Sequence, residues 1–370
     1  MNAPHELVLR FLASIGRPNE SEQYLALFRD SPAFAILHVS DAVVRDAADV
    51  LAVDLRLLAN LGLRPVLVFG AAPIREGGDA RAHALAIQDA VDIPAAIAPD
   101  AAAVRAAIDR SELPLVPLGA RTVDARFAEL AELATALGSK KLVFVGRRSG
   151  LQPEGGAVIS LVDLSAPRPD GLPPQQAALL AQIARLVDRI PQRVTVSVTS
   201  PLDLLRELFT VKGAGTLVRR GSRVARYRRW DELDAPRLLA LIEEAFGRPL
   251  AIDLRARPLE TAYVADDYRG AAIITDTPLA PYLSKFAVTT VARGEGVGGD
   301  LWRALAADHP RLFWRSRAGN PITAWYRDQA DGLVRVTIDG APWVVLWRGL
   351  EPREIPDAVA YCSASPADFE

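Results

Sequence analysis

Short apolar segments alternate with helical patterns through the first 210 residues of this 370-residue chain. The apolar segments, typical of buried strands, lie at 34–39, 65–69, 113–118, 140–145 and 193–199. The helical patterns lie at 47–61, 79–90, 100–109, 124–137, 173–190 and 201–209, after two short helices within 6–28. This alternation predicts an α/β sandwich with a mostly parallel sheet, whose ligands bind beyond the carboxyl ends of the strands.

Strands become more frequent than helices after about residue 220. The predicted order is a helix at 235–245, strands at 260–265, 271–275 and 283–291, a helix at 299–308, a strand at 311–317, a helix at 322–329, and strands at 333–338 and 342–347. The segments 266–270 and Asp339-Gly340 predict hairpin turns. We therefore expect two domains, residues 1–220 and residues 221–370, the second of α+β class.

Six arginines crowd the junction at residues 219–229. We predict a solvated inter-domain connector whose arginines pair with nearby acids. Nucleic-acid binding is the alternative, since Tyr227 and Trp230 accompany these arginines. The formal net charge of −2 argues against that alternative and against a membrane-surface protein.

Composition also bears on the cellular compartment in which the protein is expected. The single cysteine, Cys362, cannot form an internal disulfide, which is compatible with a reducing compartment. No apolar run is long enough to span a bilayer, and residues 1–6 lack the features of a signal peptide. Cytoplasm is the expected location, with no nucleic-acid or membrane partner.

A glycine loop, Arg293-x-x-Gly296-x-Gly298, follows a predicted strand and opens a predicted helix. Glycines there let main-chain N–H groups approach a pyrophosphate, and the helix dipole adds attraction. The plain alternative is a loop that only terminates the strand. Glu295 is an awkward charge inside such a loop, so we expect its side chain to point to solvent.

Basic side chains flank this loop within apolar strands. Arg315 and Arg317 are two residues apart, so both project from one face of a strand and suit the recognition of a carboxylate. The alternative is that both arginines pair with surface acids, as most arginines do. Lys285 is an isolated lysine in an apolar strand, where it needs a partner unless its ammonium reaches water.

The strand-to-helix turns of the first domain lack the chemistry of phosphoryl transfer. The first turn, Val39-Ser40-Asp41-Ala42, places an acid where a phosphate would lie, and the second retains only Gly70. No lysine occurs before Lys140. A phosphoryl-transfer site needs glycines for close backbone approach and cations for charge neutralisation.

The order of these elements resembles the amino-acid-kinase domain of N-acetylglutamate kinases and synthases. The helix around Tyr24, the segment Val116-Pro117-Leu118-Gly119 and the segment 207–216 carry this resemblance. Where that family has Lys-x-Gly-Gly, a glycine-rich turn and a Thr-Asp pair, this chain has His38-Val39-Ser40-Asp41, Phe69-Gly70-Ala71-Ala72 and Gly146-Arg147. The departures predict that kinase activity is lost.

The second domain resembles the GNAT-type acetyltransferase domain of N-acetylglutamate synthases of the vertebrate-like or bifunctional synthase–kinase type. The matching motifs are Tyr282-Leu283-x-Lys285-Phe286, Phe313-Trp314-Arg315-Ser316-Arg317, Asn320-Pro321 and Trp325-Tyr326. The resemblance implies acetyl-CoA as co-substrate, L-glutamate as acceptor and no metal. It implies that Lys285 and Arg315 hold the carboxylates of glutamate, with Arg317 behind them, that Asn320 orients the substrate, and that Tyr326 is the general acid. It assigns acetyl-CoA to Phe286, Val288, Arg293, Gly294, Gly296 and Gly298.

The resemblance also implies a tetramer and an arginine site that includes Tyr24, Glu207 and Gly213. The alternative is that Tyr24 packs a helix and that Gly213 and Gly215 end one. The expected activity is acetyl-CoA:L-glutamate N-acetyltransferase, at the entry to arginine biosynthesis. A bifunctional synthase–kinase and a non-catalytic regulatory homologue that binds arginine or acetyl-CoA are the alternatives.

Overall fold

The computed structural model describes Leu25, Phe28 and residues 34–71, 79–210, 213–293 and 295–369. The predicted helices within 6–28, Tyr24 and Gly294 lie outside the described residues, apart from Leu25 and Phe28. The chain divides into two compact units, one up to Arg220 and one from Gly221.

The first unit contains an eight-stranded sheet in the order β3-β4-β2-β1-β5-β7-β8-β6. The strands are β1 (Ile36–Val39), β2 (Val66–Phe69), β3 (Ala95–Ile97), β4 (Leu113–Pro117), β5 (Lys141–Val145), β6 (Leu161–Asp163), β7 (Thr195–Thr199) and β8 (Thr216–Arg219). All pairs are parallel except β7 with β8. The mostly parallel sheet predicted from the alternation is therefore confirmed.

Helices cover both faces of this sheet. They are α1 (Asp41–Asp46), α2 (Ala48–Asn60), α3 (Ala80–Val91), α4 (Ala101–Asp109), α5 (Val123–Leu137), α6 (Pro174–Arg189) and α7 (Leu204–Phe209). Alternate residues of β1 enter opposite cores, because Leu37 and Val39 join one apolar cluster and Ile36 joins the other. Side chains of Asp79, Asp100 and Thr122 cap helix N-termini, as the sequence pattern at these starts favours.

The basic junction is solvated as predicted at five of its six arginines, which are exposed. It differs from a plain connector because Thr216–Arg219 form β8, with Arg219 buried, and Val224–Tyr227 form β9, the edge strand of the second sheet. The predicted pairing of its arginines with acids is confirmed at Arg226, whose Nε lies 2.6 Å from Asp308. β3, β6, β8 and β9 were not predicted, because none of these short strands lies within a run of large apolar residues like those that contain β1 and β2.

The second unit contains a seven-stranded sheet in the order β14-β15-β13-β12-β11-β10-β9. Its remaining strands are β10 (Thr261–Ala265), β11 (Gly270–Thr275), β12 (Tyr282–Val288), β13 (Leu312–Arg317), β14 (Gly332–Ile338) and β15 (Ala341–Arg348). Both predicted hairpins are present, and Asp339 and Gly340 have positive φ angles of 49° and 75°. Only β12 and β13 pair in parallel; the other neighbouring strands of this sheet are antiparallel.

Four α-helices are described in this unit: α8 (Ala235–Phe246), α9 (Val297–Asp308), α10 (Thr323–Gln329) and α11 (Ile355–Ala364). α9 and α10 pack on one face of the sheet, and α8 and α11 pack on the other. α11 was not predicted. Among the described residues of either unit, no helix is both long and apolar enough to cross a membrane.

Candidate active site

A gap opens between the two parallel strands at the centre of the second sheet. β12 and β13 pair only through Tyr282 and Phe313, and beyond this point β12 stays bound to β11 and β13 to β15. Thr289 N–H donates to Arg269 O at 3.0 Å, across the β11 side. By the alternation of an antiparallel ladder, the N–H groups of Phe286 and Val288 therefore point into the gap.

The N-terminus of α9 lies beside this gap. Gly296 is the N-cap residue, with a φ of 78°, and no side chain caps the helix. A Cβ at Gly298 would lie 3.6 Å from the ring of Phe286 and 3.7 Å from Val288, whereas a Cβ at Gly299 would meet nothing within 4 Å. The first N–H groups of α9 are thus approachable, as an anion-binding helix start requires.

Two charged residues of the glycine loop have protein partners. Glu295 forms an ion pair with Arg269, and both side chains are mostly buried, so the expectation that Glu295 points to solvent was wrong. The neighbouring guanidinium neutralises an acid that would otherwise repel a phosphate. Arg293 donates from Nε to the carbonyl of Val288 at 3.3 Å and from Nη2 to the carbonyl of Ala245 at 2.7 Å. It therefore fastens the loop to β12 and α8.

An aromatic cluster fills the α9/α10 face around Tyr326. Ring centroids of Phe286, Trp302 and Trp314 lie 6.1, 6.4 and 5.6 Å from that of Tyr326. A cleft of about 490 Å³ adjoins the cluster and is lined by residues that include Gly299, Trp302 and Trp325. This volume is typical of small-molecule sites.

Tyr326 is buried, and its hydroxyl has no hydrogen-bond partner among the described residues. Burial raises the pKa of this phenol above its ordinary value. The hydroxyl therefore stays protonated at neutral pH, which is the state a general acid needs.

Lys285 projects from the opposite face of β12, among α8 and the C-terminal residues. Its Nζ donates to a carboxylate oxygen of Asp368 and, at 3.2 Å, to the carbonyl of Ser284. The second oxygen of Asp368 accepts from Arg257 Nη2 at 2.6 Å. Burial lowers the pKa of Lys285, although the Asp368 carboxylate opposes this.

Arg315 and Arg317 share one face of β13, as predicted from their spacing, and this is the face that carries Lys285. Arg315 donates to the carbonyls of Cys362, Ser365 and Pro366 at 2.6–2.8 Å. Both guanidinium groups lie over the ring of Trp343, at 4.7 and 4.9 Å from its centroid. A cavity of about 120 Å³ is lined by Arg315, Arg317 and Trp343.

Asn320 follows β13 and starts the turn into α10. Its Oδ1 accepts the N–H of Ile322 at 3.3 Å, and its main-chain carbonyl accepts the N–H of Thr323 at 2.9 Å. In the structure this side chain therefore shapes the turn that places Tyr326.

Two charged residues of this region, Arg257 and Asp368, were not predicted from the sequence. The buried position of Lys285 indicated that it needed a partner, but nothing in the local pattern pointed to an acid 83 residues away. The chain after residue 348 showed no motif, and α11 returns it to the sheet there.

The predicted arginine-site residues have structural partners in the first unit. Glu207 is buried, accepts the hydroxyl of Ser197 at 2.5 Å and lies 3.5 Å from Lys141 Nζ. It also accepts the N–H of Ala214 at 3.0 Å. Gly213 has a φ of 65°, and a Cβ there would lie 2.5 Å from Glu207, so glycine is required.

Among the described residues, no lysine lies at the carboxyl ends of β1 and β5, and Arg147, just after β5, lies 3.3 Å from a carboxylate oxygen of Asp46. The buried imidazole of His38 has its pKa lowered to about 4 by burial, so it is neutral at pH 7. Ser40 caps α1, and Asp41 pairs with Arg45. Lys140 and Lys141 lie at the opposite, amino end of β5. Across the described residues, no group of three or more His, Cys, Asp or Glu side chains could hold a metal ion.

Comparison with known proteins agrees with this geometry. The model of the family "N-acetyltransferase, of N-acetylglutamate synthase" matches residues 225–365. The chain is 33% identical to a Xanthomonas campestris protein named acetylglutamate kinase, over 93% of this chain and 97% of that one. It is 30% identical to the mitochondrial N-acetylglutamate synthase of Danio rerio, over 98% of this chain and 80% of that one.

A solved structure has the same fold. It is the N-acetylglutamate synthase of Neisseria gonorrhoeae complexed with coenzyme A and N-acetyl-glutamate, with a TM-score of 0.52 at 16% identity, covering 90% of this chain and 98% of that one. The fold and the gap define a GNAT-type N-acetyltransferase unit that follows an amino-acid-kinase-like unit. The chain belongs to the family of N-acetylglutamate synthases and acetylglutamate kinases.

Proposed function

We propose that this protein transfers the acetyl group of acetyl-CoA to the α-amine of L-glutamate. The observation that carries the proposal is the gap between β12 and β13, which connects two chemically different faces of the sheet. The α9/α10 face offers a helix N-terminus, an aromatic cleft and Tyr326. The opposite face offers Lys285, Arg315 and Arg317.

Each face suits one substrate. The pyrophosphate of acetyl-CoA would lie on the N–H groups at the start of α9, and its pantetheine arm would follow the gap. The N–H groups of Phe286 and Val288 would donate hydrogen bonds to the amide carbonyl oxygens of that arm or to the developing oxyanion. The cations of the other face would hold the carboxylates of glutamate and direct its amine into the gap.

Tyr326 would complete the reaction. The neutral amine of glutamate attacks the thioester carbonyl, and a bound water or a main-chain carbonyl accepts the proton that its nitrogen loses. The tetrahedral intermediate then collapses with cleavage of the C–S bond and loss of the coenzyme A thiolate. A protonated phenol beside the sulfur would protonate that thiolate as it leaves.

The experiment that tests the proposal is a thiol-release assay with acetyl-CoA and a panel of acidic and neutral amino acids. Release that is fastest with L-glutamate, together with N-acetylglutamate identified by mass spectrometry, is expected. Lys285→Met should abolish most of this activity, while Lys140→Met, an exposed lysine of the first unit, should retain it. Glutamate-independent release, or none, would exclude the proposal.

A non-catalytic regulatory homologue remains the second candidate, because the carboxylate-binding side chains are held by the C-terminal residues. Calorimetric binding of acetyl-CoA or L-arginine without any acetyl transfer would favour it.

The solved relatives include a Neisseria gonorrhoeae synthase complexed with coenzyme A and L-arginine. For this chain, the engagement of Glu207 by Lys141 argues against arginine at Glu207, so arginine should leave the thiol-release rate unchanged.

Assembly and location are further parts of the proposal. A homotetramer built through the kinase-like unit is expected, and multi-angle light scattering would measure its mass. A cytoplasmic location is expected, although relatives such as that of Danio rerio are named mitochondrial. Fractionation of the source cells would decide between the two.

A further inference from the structure

The residues after α11 return to the sheet and place a carboxylate on the face that carries Lys285. Ala251 N–H donates to the carbonyl of Asp368 at 3.0 Å, and Leu250 and Phe369 form an isolated β-bridge. The ring of Phe369 stacks on that of Phe246, with centroids 4.4 Å apart. Residues 365–369 are called the C-terminal segment below.

Two cations from different parts of the fold converge on Asp368. Arg257, in the loop before β10, binds Oδ1, and Lys285, in β12, binds Oδ2. The exposed fraction of the Lys285 side chain is 1% and that of Asp368 is 10%. Among the described residues, neither cation has another carboxylate partner. Two cations that bind both oxygens of one carboxylate form a site shaped for an acidic group.

We infer that the Lys285–Arg257 pair is a carboxylate-binding site, and that Asp368 is its internal ligand in competition with a carboxylate of the substrate. The inference rests on the proposed function, which supplies glutamate as that substrate. Arg257 becomes a further substrate-binding residue. Asp368 determines how readily the enzyme accepts an acidic ligand.

The energetics of burial support an exchange of one carboxylate for another. Two mostly buried cations without an anion would be costly, so this pair needs a carboxylate in every state of the enzyme. The substrate can supply one when Asp368 leaves. A short tethered group competes at an effective concentration in the millimolar range. The C-terminal segment would therefore weaken the binding of acidic ligands without abolishing it.

The test measures binding of glutarate by isothermal titration calorimetry. Glutarate carries the two carboxylates of glutamate without the amine, so it cannot be acetylated. Asp368→Asn should bind glutarate about tenfold more tightly than the wild type, because the competing state is removed. Asp357→Asn, on the exposed surface of α11, is the matched control and should bind like the wild type.

A second pair of variants tests Arg257. In the Asp368→Asn background, Arg257→Gln should lose the gain in glutarate affinity. Arg255→Gln in the same background should retain it, because Arg255 is exposed and pairs with Asp253. Equal affinities for these two double variants would overturn the role of Arg257.

Hydrogen exchange in the wild type provides a test that needs no variant. Saturating glutarate should accelerate exchange of the Ala251 amide, whose acceptor is the Asp368 carbonyl. Unchanged exchange, or a folded Asp368→Asn protein that binds glutarate no better than the wild type, would overturn the inference. Glutarate binding needs no turnover, so this failure is distinct from failure of the proposed acetyl transfer, which thiol release measures.

Discussion

The proposed role of Tyr326 as general acid depends on a single atom, its hydroxyl oxygen. Tyr326→Phe removes that oxygen and leaves the aromatic packing intact. We expect kcat to fall roughly a hundredfold or more, with KM for both substrates near wild type, because general-acid catalysis acts only in the transition state. Steady-state kinetics would measure both constants. Tyr361→Phe, a partly exposed tyrosine of α11, should behave as wild type, and equal kcat values for both variants would contradict the role.

His38 makes stability depend on pH. Burial lowers its pKa from 6.5 to about 4, so the unfolded chain binds a proton that the folded chain excludes between these values. Stability that is fully present above pH 6.5 is therefore lost as the pH falls toward 4, by roughly 3 kcal/mol. Urea unfolding of the wild type and His38→Gln at pH 7 and pH 4.5 would measure the difference. His83→Gln, at a half-exposed histidine of α3, is the matched control.

The site residues divide into those that their own pattern reveals and those that it does not. The spacing of Arg315 and Arg317 is enough to predict that both lie on one face, since side chains alternate along a strand. The same logic could not find Asp368 or Arg257, because their contacts with Lys285 depend on the return of the C-terminal segment. The orientation of Glu295 was wrongly predicted because its partner, Arg269, is distant in sequence.

At the scale of elements, the proposed binding of pyrophosphate at the start of α9 can be tested with one substitution. A Cβ at Gly298 would meet Phe286 and Val288 at ordinary contact distances, so Gly298→Ala should fold and gain up to about 1 kcal/mol from helix propensity. Its methyl group would lie between the helix start and the gap. We expect KM for acetyl-CoA to rise roughly tenfold, equivalent to about 1.4 kcal/mol. KM for glutamate should not change.

Kinetics and thermal unfolding of Gly298→Ala would be compared with those of Gly119→Ala. Gly119 belongs to the first unit, and a Cβ there would meet nothing within 4 Å. An unchanged KM for acetyl-CoA in Gly298→Ala would contradict the assignment of this helix start to the pyrophosphate.

Several long helices of the first unit followed from apolar periodicity, whereas β3, β6, β8 and β9 did not. α2, α3 and α5 begin and end within one residue of the predicted limits, because amphipathic spacing and caps act locally. The gap between β12 and β13 could not be predicted, since it depends on pairing that stops after one residue pair. Tertiary packing, not local propensity, decides where two strands separate.

For the whole molecule, the remaining question is whether the first unit phosphorylates N-acetylglutamate. Relatives named acetylglutamate kinase match 93–94% of this chain, so their names are consistent with kinase activity. The charges oppose it. His38 is neutral, Asp41 follows β1, and both lysines of the described first unit lie at the amino end of β5. Arg147, just after β5, is paired with Asp46. Phosphoryl transfer depends on cations that neutralise the transferring group.

We therefore expect ADP formation from ATP and N-acetylglutamate at a rate at least roughly a thousandfold below that of the Xanthomonas campestris relative, since several stabilising groups are lost together. A coupled ADP assay would measure both proteins side by side. Asp41→Lys would restore one cation and should not restore the rate, because His38 and the turn after β2 still differ from the family pattern. ADP formation at the relative's rate would establish a bifunctional enzyme and would require another source of positive charge at the carboxyl ends of β1 and β2.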